Sequence, residues 1–522
     1  MSDSVAPLPQ PRSWQVIAIF LLPLVAFFLR LGGAPLFDVD EGAFSEATRE
    51  MFERGDFLST YLNGEHRFDK PILVYWLQAL GYLLFGATEW GFRLPSAVAG
   101  VLWSYATWHF ARERFGSSTA LAALAVASTA LGPFAIGRAA TADALLNLLL
   151  ALALFDAWRH LESGRRAPLL RSFVWIGLGA LTKGPIALIV PGTVSLLYCA
   201  SRGEWKRWAR AVFDPAGLVI LALIVVPWYA AALAIHGQLF IDGFILKHNV
   251  ERFTGTLEGH AGSLFYYVIA VPLLLLPWTG PLLASVRQVR GDVATGVRRF
   301  LWIWAIFVVA FFSVSGTKLP HYVLYGSTPL FLLIAVHRNE LRRTALHLAA
   351  PTLFLAVFPL LPLIFNALSA SDAGSAYYRA LLQLGLAAAT PEYYLITIGG
   401  LFVWLWLAAR WNAAAWMKVG AAAAIQVVVL AGVVVPWAGA VLQGPVKEAG
   451  LLARKMGEPV VAWRYYAPSF SVYRQAVTPG RAPEAGELAI TRADRLPASG
   501  VDVLYRKGGV ALVRKSAESE AN

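Results

Sequence analysis

Charge is what this 522-residue chain has least of: Asp, Glu, Lys and Arg make up 15% of it, against 57% hydrophobic residues. A soluble domain carries about a quarter charged residues, so an ordinary globule in water is excluded. Cysteine is nearly missing too. The single Cys199 rules out an intrachain disulfide and a cysteine-rich metal site, and its place in an apolar run reads as packing. There is no phosphate-cradling P-loop and no dinucleotide-binding glycine motif after a strand.

What is there instead is apolar sequence in long runs. They fall at about 13–32, 92–111, 118–137, 142–159, 169–182, 184–200, 212–235, 263–285, 299–315, 320–336, 344–366, 392–409 and 415–437. A bilayer takes roughly 20 apolar residues per helix, so the chain reads as an all-α polytopic membrane protein with about thirteen spans. The first run is long for a signal peptide and is followed by Arg30, which makes it the first span. Residues 71–86 open with Pro71, are short, and read as a helix in the membrane interface. The formal charge of +12 does not point to nucleic acid, because Lys and Arg cluster in short links between spans. With the N-terminus inside, "ARERFG", "RHLESGRRAPLLR", "SRGEWKRWAR", "RQVRGDVATGVRR", "HRNELRRTALH" and "ARWNAAAWMK" all become inner loops, as the positive-inside rule requires. Counting 71–86 as a span would invert every later loop.

The first outer loop, Leu31–Gly91, is rich in carboxylates. In "FDVDEGAFSEATREMFERGDF", Asp38 and Glu41 have the spacing of a capping box and Gly55 is placed to end the helix. Phe44, Ala47 and Met51 recur at helical spacing, so the stretch reads as a surface helix with its glutamates solvated. Asp40 is then either a cap or something more. Other polar groups gather at outer membrane ends: Asp69-Lys70-Pro71, Asp143 opening an apolar helix, Lys183 between two apolar helices, and Lys318 with His321-Tyr322. Ionisable groups at such depth cost several kcal/mol unless paired, and the default reading is a functional cavity. A blander account stands beside each: capping for Asp69 and Lys70, snorkelling for Lys183 and Lys318, and simple solvation for Arg252 and His248.

The order of these motifs carries a resemblance. Asp40-Glu41-x-x-Phe44-x-Glu46, "ATREMFERGDFLSTYLNGEHRFDKPILVYW", "TKG", "KHNVERF" and "GTKLPHY" resemble the C-type fold glycosyltransferases over residues 13–337. Within them the chain is most similar to the aminoarabinose lipid A transferases, and more distantly to the protein O-mannosyltransferases. The resemblance implies transfer of a sugar from a polyprenyl phosphate, with catalytic carboxylates at Asp40, Glu41 and Asp143. It implies that Lys70, Lys183, Arg252, Lys318 and Tyr322 bind the donor phosphate. It also implies a divalent metal (zinc, magnesium or manganese) at Asp69 and His248. Two departures are visible: aspartate at 69 where the family usually has glutamate, and Phe44 where it has tyrosine. A nucleotide-sugar donor is disfavoured by the missing glycine motifs.

The expected partners are membrane lipids, the lipid-linked donor, and a lipid, polysaccharide or protein acceptor, with no nucleic acid. Lipid A or another envelope glycolipid comes first as acceptor; a protein O-glycosyltransferase and a lipid-linked-sugar flippase are the rivals. The expected setting is the bacterial inner membrane, with the site on the periplasmic face. Residues 1–440 form the expected transmembrane domain. Residues 441–522 mix charge with short alternating runs and form an expected small α/β periplasmic domain, with a hairpin at Gly508-Gly509 and a disordered polar tail.

Overall fold

The computed structural model describes residues 13–251, 262–294, 296–341, 344–371 and 374–516. Arg252, expected at the donor phosphate, and the polar tail lie outside the described residues. Among those described, six helices are long and apolar enough to cross a membrane: Asp143–Ser163, Pro215–His236, Gly296–Val314, Ala345–Ala370, Pro391–Arg410 and Ala415–Leu442. Shorter apolar helices, α1 (Ser13–Phe28) among them, pack beside these. Two runs that read as single spans are broken. The 263–285 run divides into Tyr266–Leu274 and Thr279–Val286, where Pro277 supplies no N–H to continue a helix. The 118–137 run turns at Ala130, whose extended backbone frees the amide of Leu131 to donate to the carbonyl of Leu276.

Between α1 and the first long helix, α4 (Glu89–Phe115), the loop folds into α2 (Asp40–Arg54), a two-stranded ribbon of β1 (Tyr61–Leu62) and β2 (Glu65–His66), and α3 (Leu73–Phe85). With 13 residues, α3 is roughly 20 Å long, short of a bilayer's hydrocarbon core.

The helix α2 differs from its sequence reading in an instructive way. Every residue from Glu41 to Met51 is buried, glutamates included. Glu46 is fully buried and forks with Arg49 at 2.7 and 2.8 Å, while Glu50 accepts from the amide of Gly64 and pairs with Arg54. Nor does Asp38 cap the helix. Its carboxylate accepts instead from the amide and hydroxyl of Ser469, at 2.9 and 2.6 Å, 431 residues away. Gly55 does end α2, in the left-handed conformation.

Ser469 belongs to the last segment of the chain, which covers α2. Strands β3 (Val460–Ala462), β4 (Leu488–Arg492), β5 (Val501–Lys507) and β6 (Val510–Lys515) form one sheet in the order β3-β4-β6-β5, with β3 parallel to β4 and the other pairs antiparallel. The β5–β6 hairpin turns at Gly508-Gly509, where Gly508 has φ +52°. The helix Gly444–Met456 buries Val446, Ala449 and Ala453 against Val460, Leu488, Ile490, Val510 and Leu512.

A second helix, Pro468–Arg474, lies against α2. Its Tyr473 hydroxyl accepts from the amide of Leu36 and donates to Glu89, and Ser471 donates to Asn63. The approach is close enough to require glycine at 42: a Cβ there would lie 2.1 Å from an oxygen of Asp38 and 2.5 Å from the amide of Ser469. Gly42→Ala is therefore expected to cost about 1–3 kcal/mol through overpacking. The check is a lower unfolding temperature in detergent, together with faster limited proteolysis within 444–516.

Candidate active site

The site is built on α2, and its neighbouring carboxylates have opposite environments. Glu41 is 4% exposed. It takes a two-pronged bond from Arg93 at 2.8 and 2.7 Å and accepts from the amides of Phe37 and Ala140. Arg93 completes the knot by donating to the carbonyls of Leu31, Ala34 and Pro35. The Glu41 carboxylate thereby accepts from four donors. Asp40, one residue earlier, is exposed and lines two cavities.

Asp143 begins the helix Asp143–Ser163, and Lys183 ends the helix Arg166–Lys183. These two ends meet: the Lys183 ammonium is 2.6 Å from the Asp143 carboxylate, with both side chains about nine-tenths buried. Tyr325 donates to the same carboxylate at 2.9 Å, and His321 Nε2 stands 4.0 Å from it. Tyr322 and Tyr325 lie three apart in a 3₁₀ turn, Pro320–Gly326, where such side chains eclipse. The Lys183 ammonium lies 5.4 and 5.5 Å from their two ring centres, within cation–π range of both.

On the far wall, Asp69 precedes α3. It accepts from Lys70 at 2.6 Å and from Arg67 at 2.8 Å, and His248 Nδ1 lies 3.1 Å away. His248 is carried by the π-helical segment Ile241–Glu251. Burial pushes the Asp69 carboxyl up, but the charges of Lys70 and Arg67 beside it, with His248 close by, hold it well below the usual carboxylate range.

Four adjoining cavities connect these groups. The first, about 320 Å³, has Asp69, Lys70, Lys183, His248 and Tyr322 on its polar side, and Ile186, Ile189, Phe244, Phe311 and Phe312 on its apolar side. The second, about 1180 Å³, shares Asp69 and His248 with the first and adds Asp40, Arg67 and His321. The third, about 460 Å³, shares Asp40 and His321 with the second and reaches Asp143 and Arg138. The fourth, about 960 Å³, lies under the C-terminal sheet and is lined by Arg464, Arg481, Arg492, Arg495, Tyr377, Tyr378 and Trp463. Lys318 lines none of the four; its ammonium donates to the carbonyl of Ser315.

The residues present do not fit the divalent ion that the resemblance implied. Among the described residues no three His, Cys, Asp or Glu side chains gather as a metal cluster. Asp69 and His248 would supply two donors where three or four are usual, and Asp69 already accepts from two cations.

Sequence reading also missed groups that the fold brings in. His321 was singled out with Tyr322 but given no role, whereas Tyr325, further on in "PHYVLY", was missed, and the 3₁₀ spacing of three was its signal. Arg67 stood two residues before Asp69. Nothing local marked Arg93, because its partner is 52 residues away.

The fold is a known one. This is the C-type fold of membrane glycosyltransferases: the structure superposes on that of ArnT from Cupriavidus metallidurans bound to undecaprenyl phosphate with a TM-score of 0.79, at 22% identity, covering 97% of this chain and 99% of that one. Residues 69–230 match the dolichyl-phosphate-mannose-protein mannosyltransferase family. Within the class, the chain resembles the aminoarabinose transferases. It is 30% identical over 331 residues to the undecaprenyl phosphate-alpha-4-amino-4-deoxy-L-arabinose arabinosyl transferase of Pseudomonas aeruginosa, and 28% over 334 residues to that of Edwardsiella ictaluri. These alignments take in 61% and 63% of this chain and span 59% and 60% of the relatives' lengths.

The contrast between Glu41 and Asp40 can be measured. Arg93→Leu leaves a buried carboxylate unpaired and is expected to cost about 3–5 kcal/mol. Pairing it with Glu41→Gln should restore part of the lost unfolding temperature, whereas Asp40→Asn alone should leave that temperature close to wild type.

Proposed function

We propose that the protein is a glycosyltransferase of the bacterial inner membrane, moving a sugar from a polyprenyl-phosphate donor to lipid A or a related envelope acceptor on the periplasmic face. The observation that carries this reading is the pairing of cavities at one end of the helices. A cationic, tyrosine-capped pocket with an apolar side adjoins a larger chamber holding an exposed carboxylate. A donor with a long hydrocarbon tail and a phosphate at headgroup depth needs that combination. The polyprenyl tail lies along Ile186, Ile189, Phe311 and Phe312, and the phosphate meets Lys70, Lys183 and Tyr322. The names and bound lipid of the similar transferases support the same donor class.

Transfer then proceeds by a single displacement with inversion at the anomeric carbon, as the resemblance implies. The acceptor oxygen attacks, the C–O bond to phosphate breaks, and the electron pair leaves with the phosphate. Negative charge builds there, where fixed cations stabilise it most. Asp40 faces the attacking side: it takes the proton of a hydroxyl acceptor or orients an acceptor that is already ionised. Asp143 holds Lys183 and His321 in place beside it, and Glu41 fixes the backbone that presents Asp40. The arginine- and tyrosine-lined cavity under the sheet suits the polar head of an anionic glycolipid. In this reading about thirteen spans make up residues 1–440, and 441–522 form a periplasmic domain that closes over the site. The match of 69–230 to a protein mannosyltransferase family favours a protein acceptor as the second reading.

The experiment supplies purified protein with a polyprenyl-phosphate sugar and follows the products by mass spectrometry. A sugar adduct on lipid A is the expected result; an adduct on protein alone would support the second reading. Asp40→Asn should cut transfer to a hydroxyl acceptor by about 10²–10⁴ while donor binding survives. Undiminished turnover in that variant would remove Asp40 from the role of base.

A further inference from the structure

Arg67 is a buried cation in the chamber that the motifs did not assign. Its backbone amide donates to the carbonyl of Thr60 beside the β1–β2 ribbon, which fixes where the side chain starts. Its Nε donates to the Tyr75 hydroxyl at 3.2 Å, and Nη2 donates to Asp69 at 2.8 Å. The guanidinium carbon lies 5.4 Å from the centre of the Phe44 ring, which is buried and stacked on Tyr75. Nη1 makes no hydrogen bond to any described residue, and Arg67 lines the chamber that also holds Asp40 and His321. The side chain is 11% exposed, so its charge is only weakly screened by water.

Asp69 is bracketed. Lys70 binds Oδ1 from the side of the smaller pocket and Arg67 binds Oδ2 from the side of the chamber. With Asp69 ionised, the three side chains together carry one net positive charge. A dication placed on Asp69 would share each carboxylate oxygen with a resident cation and sit among Arg67, Lys70 and Lys183. An anion is welcome in the same place.

We propose that Arg67 takes the role of the divalent ion in this protein: together with Lys70 it holds the donor's phosphate, and donor binding requires no metal. Phe44 is part of the same arrangement. Where the resembling transferases have a tyrosine, the phenyl ring offers the guanidinium an apolar face and no competing hydroxyl. Arg67 approaches the phosphate from the side of Asp40, so it orients the sugar end of the donor as well as supplying charge. The inference rests on the proposed donor class.

The test measures binding of a polyprenyl phosphate to the purified full chain in detergent or nanodiscs, by native mass spectrometry or calorimetry, together with metal content by elemental analysis. The expected result is substoichiometric metal and an affinity unchanged by EDTA or by added zinc. Arg67→Gln should weaken binding at least tenfold, with no rescue by zinc, magnesium or manganese, while Arg67→Lys should fall between the two. The wild-type chelation arm needs no variant, so it stands even if Arg67→Gln folds poorly. Stoichiometric metal whose removal abolishes binding would overturn the inference and leave the donor class standing, as would full affinity in a folded Arg67→Gln variant. No binding of polyprenyl phosphate by the wild type under any condition would overturn both.

Discussion

The buried fork between Glu41 and Arg93 is the contact on which the rest of the site is arranged. One carboxylate and one guanidinium gather the end of α1, the start of α2, the body of α4 and the turn at Ala140. Neither ion would be tolerated there alone, since an uncompensated charge in such surroundings costs several kcal/mol. Their mutual satisfaction makes the entry to α2 rigid. Asp40 inherits that rigidity from its neighbour and remains open to the chamber, so one dipeptide supplies both an anchor and an exposed carboxylate.

The cations around the chamber are arranged by the same logic. Lys183 is held by Asp143 and two tyrosine rings, and Lys70 by Asp69, so each is aimed before any ligand arrives. In the proposed transfer, preorganisation of this kind would remove the reorganisation that otherwise opposes charge development on a leaving phosphate. It also tempers ground-state binding, because an incoming anion must share each ammonium with a resident carboxylate. Such sharing suits the proposed donor, which would have to arrive, react and depart as a spent lipid phosphate.

Much of this was legible in the chain, and the failures have one physical cause. Apolar runs announce themselves locally, and so did the polar residues at helix ends: Asp40, Asp143, Lys70, Lys183 and Tyr322 all line the joined cavities. The glutamates of α2 were misread because a charged helix face looks solvated until its partners are known. Glu46 and Glu50 find Arg49, Arg54 and Gly64 nearby, but what buries them is far off: Glu41's partner Arg93 is 52 residues away, and the Pro468–Arg474 helix that lies against α2 is more than 400 residues away. Asp38 failed as a cap for the same reason: a long-range acceptor role outcompeted the local one. The expected metal pair met in space, but it met as a carboxylate already shared among cations, which ligand identity in sequence does not reveal.

The bond between Asp38 and Ser469 has an implication for engineering. Because it ties the stretch two residues before Asp40 to the outer layer, the halves of this protein are not interchangeable parts. A chimera that grafts another protein's terminal sheet onto these helices must bring a matching hydroxyl and a glycine-sized gap, or also import the "FDVDEG" loop. The sheet and that loop therefore travel together as one heritable module.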